Sequence, residues 1–245
     1  MRINRKFGLI GQKLGHSFSK GYFTKKFNSL GIAAEYVNIE LADIAEVKAV
    51  LADGDFSGCN VTIPYKEAII PYLDELSEEA KAIGAVNTIA FENGKTIGHN
   101  TDAFGFKQMI KPFFKSHHER GMILGTGGAA KAVTYVLEDL GVKLIYISRS
   151  PKGSDQFSYE DINENMIAFN GIIVNTTPIG MYPNSTDRVN IPYAHIGERH
   201  LVIDLIYNPE ETVFLAASKA QGAWTLNGLT MLHQQAEKAW EIWNN

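Results

Sequence analysis

Gly121 to Ser150 reads GMILGTGGAAKAVTYVLEDLGVKLIYISRS. Met122-Ile123-Leu124 is an apolar run that leads straight into Gly125-Thr126-Gly127-Gly128-Ala129-Ala130. Ala132, Val133, Val136, Leu137 and Leu140 then recur at helical spacing until Gly141, and Leu144-Ile145-Tyr146-Ile147 is a second apolar run of strand length. Strand, glycine turn, helix, strand is the setting in which G-x-G-x-x-[GA] marks dinucleotide binding and not merely a glycine-rich turn. Each small residue has a task. Gly125 permits the tight turn, Gly127 lets a pyrophosphate approach the backbone, and Ala130 keeps helix and sheet close, while the helix N-terminus offers free N–H groups to the anion.

The end of the second strand selects the cofactor. NAD-binding versions place an acid there to accept from the ribose 2′-hydroxyl, whereas this chain has Ser148-Arg149-Ser150. A guanidinium between two hydroxyls suits a 2′-phosphate, so the stretch predicts NADP.

Outside this stretch there is room for more. A chain of 245 residues is long enough for two lobes with a substantial core. With 23 Lys+Arg against 27 Asp+Glu it carries no basic field for nucleic acid and no run of like charge, which points to small-molecule work. Cys59 is the only cysteine, excluding an internal disulfide and fitting a reducing cytoplasm. No secretory signal or run of eighteen apolar residues appears, so a membrane span is not expected. Histidines 16, 99, 117, 118, 195, 200 and 233 show no metal-ligand spacing, His117-His118 lying in a polar connector, and no metal is assigned.

From the N-terminus, Lys6–Gly11 reads as a buried strand and Ser17-Phe18-Ser19 opens a helix to about Leu30. Two hydroxyls at a helix start can cap it or hold a carboxylate. Residues 34–41 alternate as a strand and Asp43–Ala52 as a helix. Gly58-Cys59-Asn60-Val61-Thr62-Ile63-Pro64-Tyr65-Lys66 reads as a strand broken at Pro64, with the proline suited to a first helical turn. Its period of two puts Asn60 and Thr62 on one face, with Lys66 beyond. Ser77 opens a short helix, and residues 85–91 and 96–99 flank an Asn93-Gly94 hairpin turn. Asn100-Thr101-Asp102 caps the next helix. After Ser150, residues 151–164 show no amphipathic helix, so one crossover is expected to be trimmed. Residues 171–175 and 201–205 read as buried strands, Thr176 to Met181 as a loop able to cover a cofactor, 211–221 as a helix, 224–226 as a short strand and 228–243 as a last helix. That helix has Leu229, Leu232, Ala236, Ala239, Trp240 and Trp243 as its apolar side.

Taken together, Ser17-x-Ser19, Asn60-Val-Thr62-x-Pro64-x-Lys66, Gly84-Ala85-Val86-Asn87-Thr88, Asn100-Thr101-Asp102, Gly125-x-Gly127-Gly128-Ala129 and Gly228-Leu-x-Met231-Leu232-x-x-Gln235 resemble, in this order, the shikimate dehydrogenases. The resemblance spans nearly the whole chain. It implies an α/β, two-lobed protein: an N-terminal substrate-binding and catalytic domain over 1–101 and 228–245, and a Rossmann-like NADP-binding domain over 102–227, with the C-terminal helix returning to the first lobe. It implies NADPH-dependent reduction of 3-dehydroshikimate to shikimate in aromatic amino-acid synthesis, by a cytoplasmic monomer or homodimer. By the same resemblance Ser17, Ser19 and Tyr207 hold the substrate carboxylate, and Thr62, Asn87, Asp102 and Gln235 its ring hydroxyls, with Asn60 supporting that wall. Gly125, Thr126, Gly127, Gly128 and Ala129 take the pyrophosphate, Ser148, Arg149, Ser150 and Lys152 the 2′-phosphate, and Thr176, Gly228 and Met231 also bind the cofactor.

Lys66 and Asp102 are the catalytic pair in this comparison. Hydride arriving at a ketone carbon builds an alkoxide, and a lysine ammonium is an acid able to protonate it at neutral pH. The chain departs from the family pattern at His99 (for Asp), Thr126 (for Ala) and Thr230 (for Gly), and by the trimmed 151–164 stretch, expected to weaken adenine-side affinity more than to change cofactor choice. Alternatives are an NAD-dependent quinate/shikimate dehydrogenase, a relative acting on another small acid or a folate, and a catalytically silent NADP-binding regulator. A methyltransferase would want an acid where Arg149 stands.

Overall fold

In a computed structural model, which describes residues 5–15 and 17–245, the chain divides into two units, Met1–Thr101 with Ala236–Asn245, and Asp102–Gln235. His16, named above, lies outside the described residues.

The first unit is built on β1 (Arg5–Gly11), α1 (Phe18–Leu30), β2 (Ala34–Glu40), α2 (Val47–Ala52), β3 (Phe56–Val61), β4 (Glu75–Leu76), α3 (Glu78–Ile83), β5 (Thr88–Glu92) and β6 (Lys95–His99). Its sheet runs β2-β1-β3-β5-β6-β4, with β1 parallel to both neighbours and β5 antiparallel to β3 and β6. The two-residue period of β1 sends Phe7 and Leu9 to one face and Ile10 to the other. Phe7 and Leu9 join Phe23 and Phe27 of α1 and Ala236, Ala239 and Trp243 near the chain's far end. Ile10 joins Val47, Cys59, Tyr65, Ile69 and Ile89. Gly8 lies on that second face because a β-carbon there would meet Ile39 Cδ1 at 2.5 Å. Asn93 and Gly94 turn the β5–β6 hairpin with φ of 52° and 77°, the left-handed pair such a turn requires.

The second unit contains α4 (Asp102–Ile110), β7 (Arg120–Leu124), α5 (Gly128–Asp139), β8 (Lys143–Ile147), β9 (Gln156–Phe157), α6 (Glu164–Phe169), β10 (Ile172–Asn175), β11 (Leu201–Asp204), α7 (Val213–Ala220) and β12 (Trp224–Leu226); α8 (Leu229–Ile242) leaves it at Gln235. All five pairings of its sheet are parallel, in the order β12-β11-β10-β7-β8-β9. With β7 counted as first, that is the doubly wound order of a dinucleotide-binding sheet. Met122, Leu124, Ile147, Ile173, Val202 and Phe214 form its core.

Several expectations need correction. No helix starts at Pro64: residues 64–69 are mostly turns, closed by Tyr65 N to Thr62 O and Ile69 N to Tyr65 O, and only the single tight turn Ile70–Tyr72 follows, because the buried Tyr65 and Ile69 pin the segment to the core. The expected Asp43–Ala52 helix starts as a single tight turn, Ile44–Glu46, under an Asp43/Glu46 capping box. The trimmed crossover is real, since no helix joins β8 to β9, yet β9 and α6 within and after it have no periodic signal in the sequence. Leu229 is 37 % exposed and does not share the buried face of α8, whereas Met231 does. His118 is buried despite its polar connector.

Candidate active site

In the first unit the expected substrate groups cluster around a buried polar chain. Tyr36 on β2 donates through its hydroxyl to Asn60 Oδ1 at 2.8 Å and is itself hydrogen-bonded by Ser19. Asn60 Nδ2 donates to Asn87 O at 3.2 Å and Thr88 Oγ1 at 3.1 Å. Asn87 Oδ1 accepts from Thr101 N at 2.7 Å, and its Nδ2 donates to Thr101 Oγ1 at 3.0 Å. Ser19, Asn60 and Asn87 are thereby brought together, and burial fixes them, because an unpaired amide at these depths would be costly. Ser17 caps α1, accepting from Lys20 N, and is half-buried. Thr62 and Lys66 are half-buried past the end of β3; Thr62 N donates to Ile10 O, and Lys66 O accepts from Val86 N at 2.7 Å, next to Asn87. Backbone bonds therefore pin both ends of the Thr62–Lys66 segment.

In the second unit Asp102 is buried in the first turn of α4. Gly105, one turn on, carries α4 across α8: a β-carbon there would lie 2.5 Å from Met231 O and 3.2 Å from Gln235 Cβ. This close crossing sets Met231 and Gln235 beside the helix that begins at Asp102. Tyr207 is half-buried, and burial pushes its phenol up from the ordinary value. Gly228 donates its N–H to Ile206 O at 3.0 Å and has no space for a side chain, its β-carbon position being 2.0 Å from Leu205 O.

The glycine turn has the shape a dinucleotide requires. Gly125 sits at φ +110°, with Thr176 Oγ1 2.7 Å from its β-carbon position, so only glycine suits it. Gly127 faces open space, and no side chain of the described residues caps α5. Its first-turn N–H groups suit a pyrophosphate. Thr176 is tied to the turn, its N and Oγ1 both donating to Leu124 O at 3.0 and 2.8 Å. Arg149 is exposed near the Tyr159 phenol, Ser150 N donates to Ser148 Oγ at 3.2 Å, and Lys152 is exposed. Thr126 is exposed, and Gly128 and Ala129 open α5. The donor set fits NADP.

Among the described residues no three His, Cys, Asp or Glu groups are placed to hold a metal, and no helix is long and apolar enough to cross a membrane. Cys59 is buried, and burial pushes its thiol well up, which leaves it inert. Tyr36 and Gly105, and Asp204, described below, were not singled out by the sequence. Asp204 alone left a signal, as an acid closing the apolar run Leu-Val-Ile.

A doubly wound parallel sheet with a glycine turn after its first strand defines a dinucleotide-binding protein of the Rossmann class. Comparison with known proteins narrows the class. The model of the shikimate dehydrogenase substrate binding domain matches residues 9–89. Shikimate dehydrogenase (NADP(+)) of Carboxydothermus hydrogenoformans is 38 % identical, over 99 % of this chain and 94 % of that protein. The crystal structure of shikimate dehydrogenase 1 from Peptoclostridium difficile is 40 % identical with a TM-score of 0.86, covering 98 % of this chain and 91 % of that one. Shikimate 5-dehydrogenase from Thermus thermophilus, solved in complex with NADP(H) and shikimate, is 29 % identical with a TM-score of 0.86, covering 98 % and 93 %. The chain belongs to the shikimate dehydrogenase family.

Proposed function

We propose that this chain catalyses the NADP-dependent interconversion of 3-dehydroshikimate and shikimate, a step of aromatic amino-acid biosynthesis. The observation that carries it is the match to a shikimate dehydrogenase (NADP(+)) over 99 % of the chain, which takes in both the Lys66 segment and the glycine turn. Arg149 at the end of β8, where an NAD-binding protein would carry an acid, supports the phosphorylated cofactor.

When bound, NADPH supplies a hydride for the ketone carbon. Backbone N–H groups from Gly125 to Ala129 hold its pyrophosphate, with Thr126 beside them; Ser148, Arg149, Ser150 and Lys152 hold the 2′-phosphate, and Thr176, Gly228 and Met231 border the nicotinamide. Ser17, Ser19 and Tyr207 hold the substrate carboxylate. Thr62, Asn87, Asp102 and Gln235 fix the ring hydroxyls, with Asn60 behind Asn87. These contacts present one face of the ring, which lowers the entropic part of the barrier. Lys66 gives its proton to the ketone oxygen as negative charge builds there, and in the reverse direction takes it back. The active species is a monomer or homodimer working in the cytoplasm.

Initial rates at 340 nm with shikimate and NADP, against quinate and NAD, test the assignment. Turnover of the first pair is expected to dominate; faster turnover of the second, or none of either, would overturn it. Lys66→Ala should lower kcat by roughly 10² or more with NADP affinity nearly unchanged. Near-normal turnover by that variant would remove Lys66 from the role.

A further inference from the structure

Asp204 closes the apolar strand β11 and is wholly buried, at 0 % exposure. Burial raises its carboxyl pKa to about 6, against the pull of three donors. Thr212 Oγ1 donates at 2.6 Å to one oxygen, and Asn175 Nδ2 at 3.0 Å and Ile206 N at 3.1 Å to the other. A carboxylate at such depth costs more than a well-packed valine would, so what it holds is informative.

It holds two loops at the C-terminal edge of the parallel sheet, the edge where such sheets bind their ligands. On one side Asn175 ends β10. Its Oδ1 accepts from Thr177 N at 3.0 Å and Thr177 Oγ1 at 2.6 Å, and its Nδ2 also reaches Ile179 O at 3.3 Å. Thr176, within that loop, is bonded to Leu124 O next to Gly125. On the other side Ile206 adjoins Tyr207, and Thr212 caps α7 by accepting from Leu215 N at 3.3 Å.

We propose that Asp204 is a positioning residue for the dehydrogenase reaction: its carboxylate fixes the 176–179 loop and the 205–212 loop in one register, so that Thr176 and Tyr207 are presented together to cofactor and substrate. The inference rests on the proposed dehydrogenase function, which gives those two residues their tasks. Without this anchor both loops keep their covalent ends but lose the shared acceptor that sets their separation.

The test separates the two arms. Asp204→Ala removes both and should raise KM for NADP and for shikimate about tenfold each, with a smaller change in kcat. Asp204→Asn keeps an oxygen for Asn175 and Ile206 but turns an amide N–H towards Thr212 Oγ1, which already accepts from Leu215 N, so that arm loses its charged acceptor and is weakened. It should restore KM for NADP and leave KM for shikimate raised, and Thr212→Val should reproduce that shikimate-only defect. A role in stability alone predicts lower melting temperatures with both KM values unchanged, and that result overturns the proposal. If Asp204→Ala does not fold, wild-type KM for shikimate in both Asp204→Asn and Thr212→Val overturns it instead. Absence of shikimate turnover by the unmodified protein would be a failure of the function itself, visible before any variant is measured.

Discussion

Two buried ionisable residues of the second unit respond to acid in opposite senses. His118 is 5 % exposed, its Nδ1 accepting from Lys115 N at 3.0 Å. Burial first, then the neighbouring His117, lowers its pKa to about 4, with the carbonyl of Arg199 opposing. Its unfolded form therefore binds the proton more readily, and its contribution to stability, present above about pH 6.5, is lost as pH falls towards 4. Asp204 has its pKa raised to about 6, so the cost of its buried charge is relieved as pH falls from 6 to 3.8. The two groups therefore act in opposite senses over nearly the same pH range. Melting followed by circular dichroism at pH 6.5 and pH 4.5 should expose the balance. Asp204→Asn should make stability fall more steeply with acid than in the unmodified chain, and His118→Asn should make it rise. Equal pH slopes for all three would refute the assignment of these groups. Site legibility divides along the same line. Lys66, Asp102 and the glycine turn are candidates the sequence offers because each sits in a short motif, whereas Asp204 and Tyr36 take their hydrogen-bond partners from residues distant in sequence.

At the scale of elements, the crossing of α4 and α8 is a tight constraint near the expected site. A methyl group on Gly105 would lie 2.5 Å from the Met231 carbonyl, a backbone atom that cannot swing aside. Gly105→Ala should therefore cost about 1–3 kcal/mol, as overpacking does, and displace Met231 and Gln235 enough to raise KM for both ligands. A variant of unchanged stability and kinetics would show that α8 yields without consequence. The α/β class and the central β7–α5–β8 unit were plain in the sequence because long apolar runs and a helical period cover them. Shorter pieces were not. β9 pairs only Gln156 and Phe157 with β8, too few residues to display alternation, and α6 has six residues under an Asn163 cap. Val189, Ile191 and Ile196 reach the core from an irregular stretch, where no period exists to announce them.

For the molecule as a whole, the defining trait is that the first unit is discontinuous in sequence. Trp243 packs on Phe7 and Phe23, with ring centroids 4.9 and 5.2 Å apart, and its indole N–H donates to Ile89 O at 3.0 Å. Gly58 is a glycine for the same reason, its β-carbon position being 2.3 Å from the indole nitrogen. Trp243→Ala should destabilise this unit by about 3–5 kcal/mol through the cavity and the orphaned carbonyl. Urea unfolding followed at the remaining tryptophans would measure it, and a loss under about 1 kcal/mol would mean that the unit closes without this anchor.

The return of residues 236–243 to the first unit also has a consequence for biogenesis. Strands β7 to β12 leave the ribosome as one continuous stretch and can pair at once. The phenylalanines of β1 and α1, though made first, lack this cover until residues 236–243 have been made. Nascent chains stalled before Ala236 should thus be the sticky, chaperone-hungry species, their N-terminal aromatic surface waiting for a lid not yet synthesised.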